Sequence, residues 1–287
     1  MLASALRSEA TSYGTCMLCP TPAFAAAAAA CGQLDFVFID TEHTPLDRAA
    51  LASMCLAYKA LGLPPLVRIP RADGALARQA IDAGACGVVA AYMETVEQAD
   101  ELRSAVKLKP LQGVVLKSAL EDPDGFARSH PVTAAKVHAQ NKEVALVLNI
   151  ESQAAIDNLD NMLKVPGVDC LLVGPHDLSF NLGVPEEFEH PKFQAALKTI
   201  FGKARAAGVG AAIHQGVPPT TPGMTPEDAS RWIRDYGCNV YIHAADMSLF
   251  VTQLKGDLSK IRAATGEADG PAAKKRKAAN GASTLAV

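Results

Sequence analysis

Short runs in which every residue is apolar alternate along this chain with longer stretches whose apolar residues recur every three or four positions. Phe36-Val-Phe-Ile39, Pro65-Leu-Val67 and Leu171-Leu-Val173 are apolar on both faces. Such runs fit strands covered on both sides, as in parallel sheets; strands with one wet face would alternate apolar with polar. The pattern predicts strands over 14–18, 36–40, 65–69, 87–91, 144–150, 169–173, 209–213 and 239–242, after a helical lead over 2–8. Helices are predicted over 20–30, 46–61, 75–83, 96–106, 153–163, 191–207, 226–236 and 249–264, several of them ended by Gly32, Gly62 or Gly84. A polar stretch over 107–131, with a short helix over 133–140, reads as an irregular insertion between the fourth helix and the fifth strand. Eight strand–helix alternations describe an α/β chain folded as a (β/α)8 barrel. An open doubly wound sheet is the other arrangement for such a chain, but no GxGxxG follows the first strand. The barrel domain is assigned to 1–265, and 266–287 is expected to be a disordered basic tail.

Composition narrows the function classes. The 287 residues are 49% hydrophobic and 20% charged, with a formal net charge of −3. That balance exerts no general pull on nucleic acid or anionic membrane, and no apolar run approaches the roughly 18 residues of a membrane span. The N-terminus lacks the basic and then apolar regions of a secretory signal, so a cytoplasmic setting is expected. Seven scattered cysteines, including one Cys16-x-x-Cys19 that closes the first strand, read as free thiols in a reducing compartment. Lys274-Lys-Arg-Lys277 reads equally as a short nuclear-import signal or as part of a solvated tail.

In a (β/α)8 barrel the reactive groups come from strand C-termini and the loops behind them. That rule selects Asp40, Glu42 and His43 after strand 2, and Arg68 near the end of strand 3. It also selects Glu151 after strand 5, His176 and Asp177 after strand 6, and His214 and His243 after strands 7 and 8. Glu151 and Asp177, with no thiolate beside them, suit an oxygen-preferring divalent ion, Mg2+ or Mn2+ with Co2+ as a further candidate. Two protein ligands leave room for a 2-oxo acid to chelate through its keto and carboxylate oxygens, so that an enolate is stabilised as it forms. Arg68 is placed to steady the keto oxygen. Backbone N–H groups beyond Gly174-Pro175, where a short helix is expected to begin at Asp177, suit the substrate carboxylate. His43 is the natural proton shuttle. His214 and His243 lack ligand spacing and read as pocket lining or core. Lys117 reads as a solvated loop lysine, which leaves no lysine for Schiff-base chemistry.

Asp40-x-Glu42-His43, Val67-Arg68-Ile-Pro, Asp82-Ala-Gly84, Ile150-Glu151 and Gly174-Pro-x-Asp177-Leu-Ser-x-x-Leu-Gly183 stand in an order and at spacings that resemble the HpcH/HpaI family. These are metal-dependent class II pyruvate aldolases of the 4-hydroxy-2-oxoheptanedioate and 2-dehydro-3-deoxyglucarate aldolase type, and the resemblance spans roughly residues 5–264. It implies that Glu151 and Asp177 bind metal, that Arg68 contacts the pyruvyl oxygen, and that His43 serves in acid/base catalysis. His43 would pair with Asp82 of a neighbouring subunit, while Asp40 and Glu42 would order metal-bound water. It further implies a homo-oligomer, a hexamer built as a trimer of dimers that exchange their last helix.

The departures fall mainly on the side that would receive an aldehyde. Asn149 replaces a glutamine, Cys16 an aromatic residue and His176 a small one beside the metal aspartate, which makes His176 a substrate-binding candidate. Ala90-Ala91-Tyr92 replaces a Val-Pro stretch, and Pro110-Leu-Gln-Gly-Val-Val115 lacks the family's arginine. The expected function is a metal-dependent carbon–carbon lyase acting on a 2-oxo acid and an aldehyde through a pyruvate enolate. Two alternatives stand beside it: oxaloacetate decarboxylation, as in relatives resembling macrophomate synthase, and a barrel without turnover that only binds.

Overall fold

The computed structural model describes residues 1–216 and 221–266. Eight strands pair in parallel and in chain order, and the last closes on the first. They are β1 (Ser12–Met17), β2 (Phe36–Asp40), β3 (Pro65–Ile69), β4 (Gly87–Ala90), β5 (Ala145–Ile150), β6 (Cys170–Val173), β7 (Gly210–His214) and β8 (Val240–Ala245). The (β/α)8 barrel expected from the both-face apolar runs is therefore the fold. Several helices start on side-chain caps close behind a strand: Asp47 accepts from Ala50 N–H, Asp73 from Ala75 and Leu76, and Thr95 with Gln98 forms a capping box. These caps satisfy otherwise orphaned N–H groups and so fix where each strand hands over to its helix.

The register sets what fills the barrel. Pairings such as Phe38 with Leu66, Leu172 with Ala212 and His214 with Ile242 combine with the tilt of an eight-stranded barrel, about one residue per strand. Inward side chains then fall into layers of four from alternate strands. Phe38, Val89, Leu172 and Ile242 form an apolar layer, and Gly14, Leu66, Val147 and Ala212 form the one beneath it, nearly all of them in one buried inner cluster. Above them lies a layer unlike any other: Cys16, Arg68, Asn149 and His214. The next positions up are Asp40, Ala91, Gly174 and Ala244, three of them small, which leaves the mouth open as a cup with a polar floor.

Several expectations need correction. Residues 107–131 are largely helical, in Gly113–Glu121 and Pro123–Ser129, and the short helix expected over 133–140 follows as Pro131–Asn141. Pro123 and Pro131 begin helices rather than breaking them, and Ala119, Phe126 and Val137 gather on Leu111 as a small apolar cluster. The helix after β6 starts at Pro175, two residues earlier than expected. β8 runs on to Ala245, so His243 is not a strand end at the mouth. By the two-residue alternation of a strand it faces outward, where its ring lies 6.2 Å from Tyr241.

Packing assigns Met1–Asp246 to one unit and Met247 onward to a second, whereas the sequence groups the last helix with the barrel. In the first unit, Asp246 accepts backbone N–H bonds from Leu18 and Cys19. In the second, Phe250, Val251, Leu254, Leu258 and Ile261 lie exposed at helical spacing along the helix Asp246–Ala264. The expected basic tail, with Lys274–Lys277, falls outside the described residues. Among those described, no helix is long and apolar enough to cross a membrane. The cysteines are unpaired thiols, mostly buried or half-buried, with Cys31 exposed.

Candidate active site

The cup brings two carboxylates together from adjacent strands. Glu151 follows β5 and is 2% exposed; Asp177 sits in the first turn of the helix Pro175–Asn181 behind β6. Gly174 permits their approach, because a β-carbon there would run into Glu151 Oε1. One residue touches both acids. Tyr92 donates its backbone N–H to Glu151 Oε2 at 2.9 Å and its hydroxyl to Asp177 Oδ1 at 2.7 Å. Burial pushes the Glu151 carboxyl up to about 7; the Tyr92 N–H opposes that shift, and the charge of Asp177 adds to it.

Arg68 is 6% exposed and is held from one side. Its Nε donates to Asp40 Oδ1 at 2.9 Å and its Nη2 to Asp40 Oδ2 at 2.7 Å, a bidentate pair that β2–β3 register makes possible by placing Asp40 opposite Arg68. Glu42 Oε2 lies 3.2 Å from Nε, and Glu42 N–H donates to Asp40 Oδ1. Burial works against charge on Asp40, but the Arg68 hydrogen bonds and charge outweigh it and hold the carboxyl below its ordinary range. Burial raises Glu42 despite Arg68. Among the described residues these contacts engage Nε and Nη2 and give Nη1 no hydrogen-bond partner. Asp40, whose implied task was to order water, has both oxygens engaged in orienting the guanidinium.

The floor beneath carries polar atoms without protein partners. Neither amide atom of Asn149, which is fully buried, meets a hydrogen-bond partner in the chain, and neither does Nε2 of His214. The His214 ring lies 5.1 Å from Phe38, and burial, reinforced by the charge of Arg68, lowers its pKa to about 3, so the imidazole is neutral.

The remaining candidates separate. His43 is exposed at the mouth, with Nε2 3.8 Å from Glu42. Asp82 ends the helix Gly74–Asp82, which runs back from the mouth after β3, so it lies toward the opposite end of the barrel, where Lys109 pairs with it. One chain does not join His43 to Asp82, as the subunit-crossing pair requires. His176 is anchored beside Asp177: its Nδ1 lies 3.2 Å from Glu186 Oε1 and its ring meets Phe188 edge-on at 5.6 Å. Lys117 is exposed beside Glu121. In the first turn of the helix behind β6, the earliest helical bond runs from Leu178 N–H to Gly174 O at 3.0 Å. The N–H groups of His176 and Asp177 precede that ladder and have no acceptor within the helix. Tyr92 and Glu186 were missed as site residues. Tyr92 directly follows a strand end, which is where the barrel rule says to look.

Among the described residues no group of three or more His, Cys, Asp or Glu side chains converges as metal ligands. The pair Glu151 and Asp177 nevertheless fits a hard divalent ion bound with few protein ligands. The donors are oxygens, each acid has one oxygen tied by Tyr92 and another unengaged by it, and like charges crowd a buried site. A cavity of about 480 Å³ lies elsewhere, lined by Lys107, Leu111, Phe126 and Val137.

Comparison with known proteins agrees with the barrel fold. Residues 18–215 match the family model described as HpcH/HpaI aldolase/citrate lyase. A 5-keto-4-deoxy-D-glucarate aldolase of Shigella boydii is 29% identical over 79% of this chain and 83% of its own length. A hydroxypyruvate/pyruvate aldolase of Paraburkholderia phytofirmans is 31% identical over 83% of this chain and 88% of its own. In three dimensions, an HpcH/HpaI aldolase/citrate lyase family protein from Burkholderia cenocepacia superposes with a TM-score of 0.72 at 28% identity, covering 91% of this chain and 98% of the other.

Proposed function

The chain belongs to the HpcH/HpaI aldolase/citrate lyase family, and from that premise we propose that its cup forms the enolate of pyruvate, or of a close 2-oxo acid, and joins its carbon to an aldehyde carbonyl carbon or, in reverse, breaks that bond. The protein is a carbon–carbon lyase of the aldehyde-lyase type, and aldolases of this family depend on a divalent metal. The observation that carries the reading is the pairing of Glu151 with Asp177 across the cup from Arg68. Glu151 and Asp177 would hold the metal, Mg2+ or Mn2+ from the hardness of their oxygens, with Co2+ next. When bound, that ion polarises the keto group and makes the methyl protons acidic.

The chain's own residues do the rest. Arg68, oriented by Asp40 and Glu42, offers Nη1 to the keto oxygen as charge builds there, a fixed donor in a water-poor site. The N–H groups of His176 and Asp177 beyond Gly174-Pro175 receive the substrate carboxylate. His43 moves the proton at the acceptor oxygen. Asp82 reaches it only from a second copy, so the working form is a homo-oligomer. The family's hexamer, a trimer of dimers, fits this requirement, and the exposed apolar stripe of the last helix supports such an assembly.

Exchange of pyruvate methyl protons for deuterium, followed by NMR with Mg2+ present, needs only the enolate half-reaction. Wild type is expected to exchange at least 10³-fold faster than Glu151→Ala. Equal rates for the two proteins would end the enolate reading.

A further inference from the structure

Tyr92 follows β4 and has φ of +51°, one of two non-glycine residues with positive φ among those described. A bulky side chain rarely occupies that region, and the conformation persists only where surrounding structure imposes it. The surroundings here are built for the purpose. Gln98 accepts from Glu94 N–H at 2.7 Å and Thr95 N–H at 3.0 Å. Met93 N–H donates to Asn149 O at 3.0 Å, and Asn158 Nδ2 donates to Glu94 O at 2.9 Å. The turn carrying Tyr92 is thus braced against the strand that ends in Glu151.

From that turn the Tyr92 backbone reaches one oxygen of Glu151 and the phenol one oxygen of Asp177, at 2.9 and 2.7 Å. Any residue except proline could supply the N–H; only the phenol supplies the second bond. We infer that Tyr92 is a positioning residue that clamps Glu151 and Asp177 in the spacing a divalent cation requires, each with one oxygen turned inward. The inference rests on the metal reading above and adds to it the group that sets the geometry before the ion arrives. Outer partners that fix ligand carboxylates typically carry 10- to 100-fold in metal affinity.

The test is a Mn2+ titration of the full-length protein, reading the free ion by electron paramagnetic resonance, with thermal unfolding of the metal-free protein as a control. Tyr92→Phe keeps the backbone bond and removes only the hydroxyl. It is expected to weaken Mn2+ binding about tenfold, with an unchanged unfolding midpoint and with pyruvate exchange restored at saturating Mn2+. Tyr92→Gly removes the hydroxyl and fits the positive φ without strain; it is expected to weaken binding to the same degree. Unchanged affinity in Tyr92→Phe overturns the inference, as does a loss seen in Tyr92→Gly alone. A wild type that takes up no Mn2+ would instead overturn the metal reading beneath it.

Discussion

The two ends of the barrel each bury an aspartate against an arginine, and they are built to opposite accounts. At the closed end Asp169, fully buried before β6, accepts from Arg7, from Lys107 Nζ at 2.6 Å and from Leu146 N–H at 2.8 Å. One carboxylate there meets two cations, and a strand amide completes its shell. At the mouth, among the described residues, the buried Asp40 and Glu151 and the half-buried Glu42 lie close to a single buried arginine, Arg68, with the half-buried Asp177 beside Glu151. A buried acid with ample partners holds a fold together, whereas a surplus of buried negative charge has a purpose only when something positive arrives. The same residue types thus mark structure at one end and a binding site at the other, and the local charge balance tells them apart.

Removing the acid at the closed end is the largest break available. Asp169→Ala leaves Lys107 and Arg7 without their acceptor and is expected to cost about 3–5 kcal/mol in denaturant unfolding, with exchange activity per folded molecule unchanged. Arg68→Lys tests the mouth. Lysine keeps the charge but not the fork, so catalytic efficiency is expected to fall about 10²- to 10³-fold with far less loss of stability than at Asp169.

Titration sharpens the contrast further. A carboxyl raised to about 7 in the fold stays protonated well above the unfolded value of about 4.5. Its contribution to the stability of the metal-free protein is full below pH about 4.5 and is lost as pH rises through about 7. Metal uptake displaces that proton, so affinity measured by calorimetry should rise about tenfold per pH unit up to about 7 and then level. The smallest effect is expected from Asp177→Asn. It keeps an acceptor for Tyr92 and removes one of the crowded charges, so the metal-free protein should gain up to about 1 kcal/mol after screening. Metal binding should be lost in the same protein. A destabilised Asp177→Asn would mean that the mouth is balanced after all.

The sequence shows the strands because runs such as Phe36–Ile39 and Leu171–Val173 suit no other environment, and most candidate residues follow from where those runs stop. Register is harder to read. That Asp40 sits opposite Arg68, and so orients it, depends on how two strands pair 28 positions apart. His243 was misplaced because β8 continues through Ala244-Ala245, a dipeptide with little strand character, so that His243 lies inside the strand on its outer face instead of at the strand end. The helices Gly113–Glu121 and Pro123–Ser129 were hidden in a stretch read as polar and irregular; the second of them carries its proline in the first turn, where a helix tolerates it. Tyr92 stands where the barrel rule looks, but the backbone donor and left-handed φ that aim it at both acids leave no mark on residue pattern.

The layer of Cys16, Arg68, Asn149 and His214, sealed below by Phe38, Val89, Leu172 and Ile242, makes the cup a vessel with one opening. Traffic through such a vessel has a fixed sequence: what rests against Arg68 must enter first and depart last. In steady-state kinetics the 2-oxo acid should therefore bind before the aldehyde. In the cleavage direction pyruvate should act as a competitive inhibitor of the aldol substrate, while the aldehyde inhibits noncompetitively. A random order would mean that a bound aldehyde leaves the way to Arg68 open.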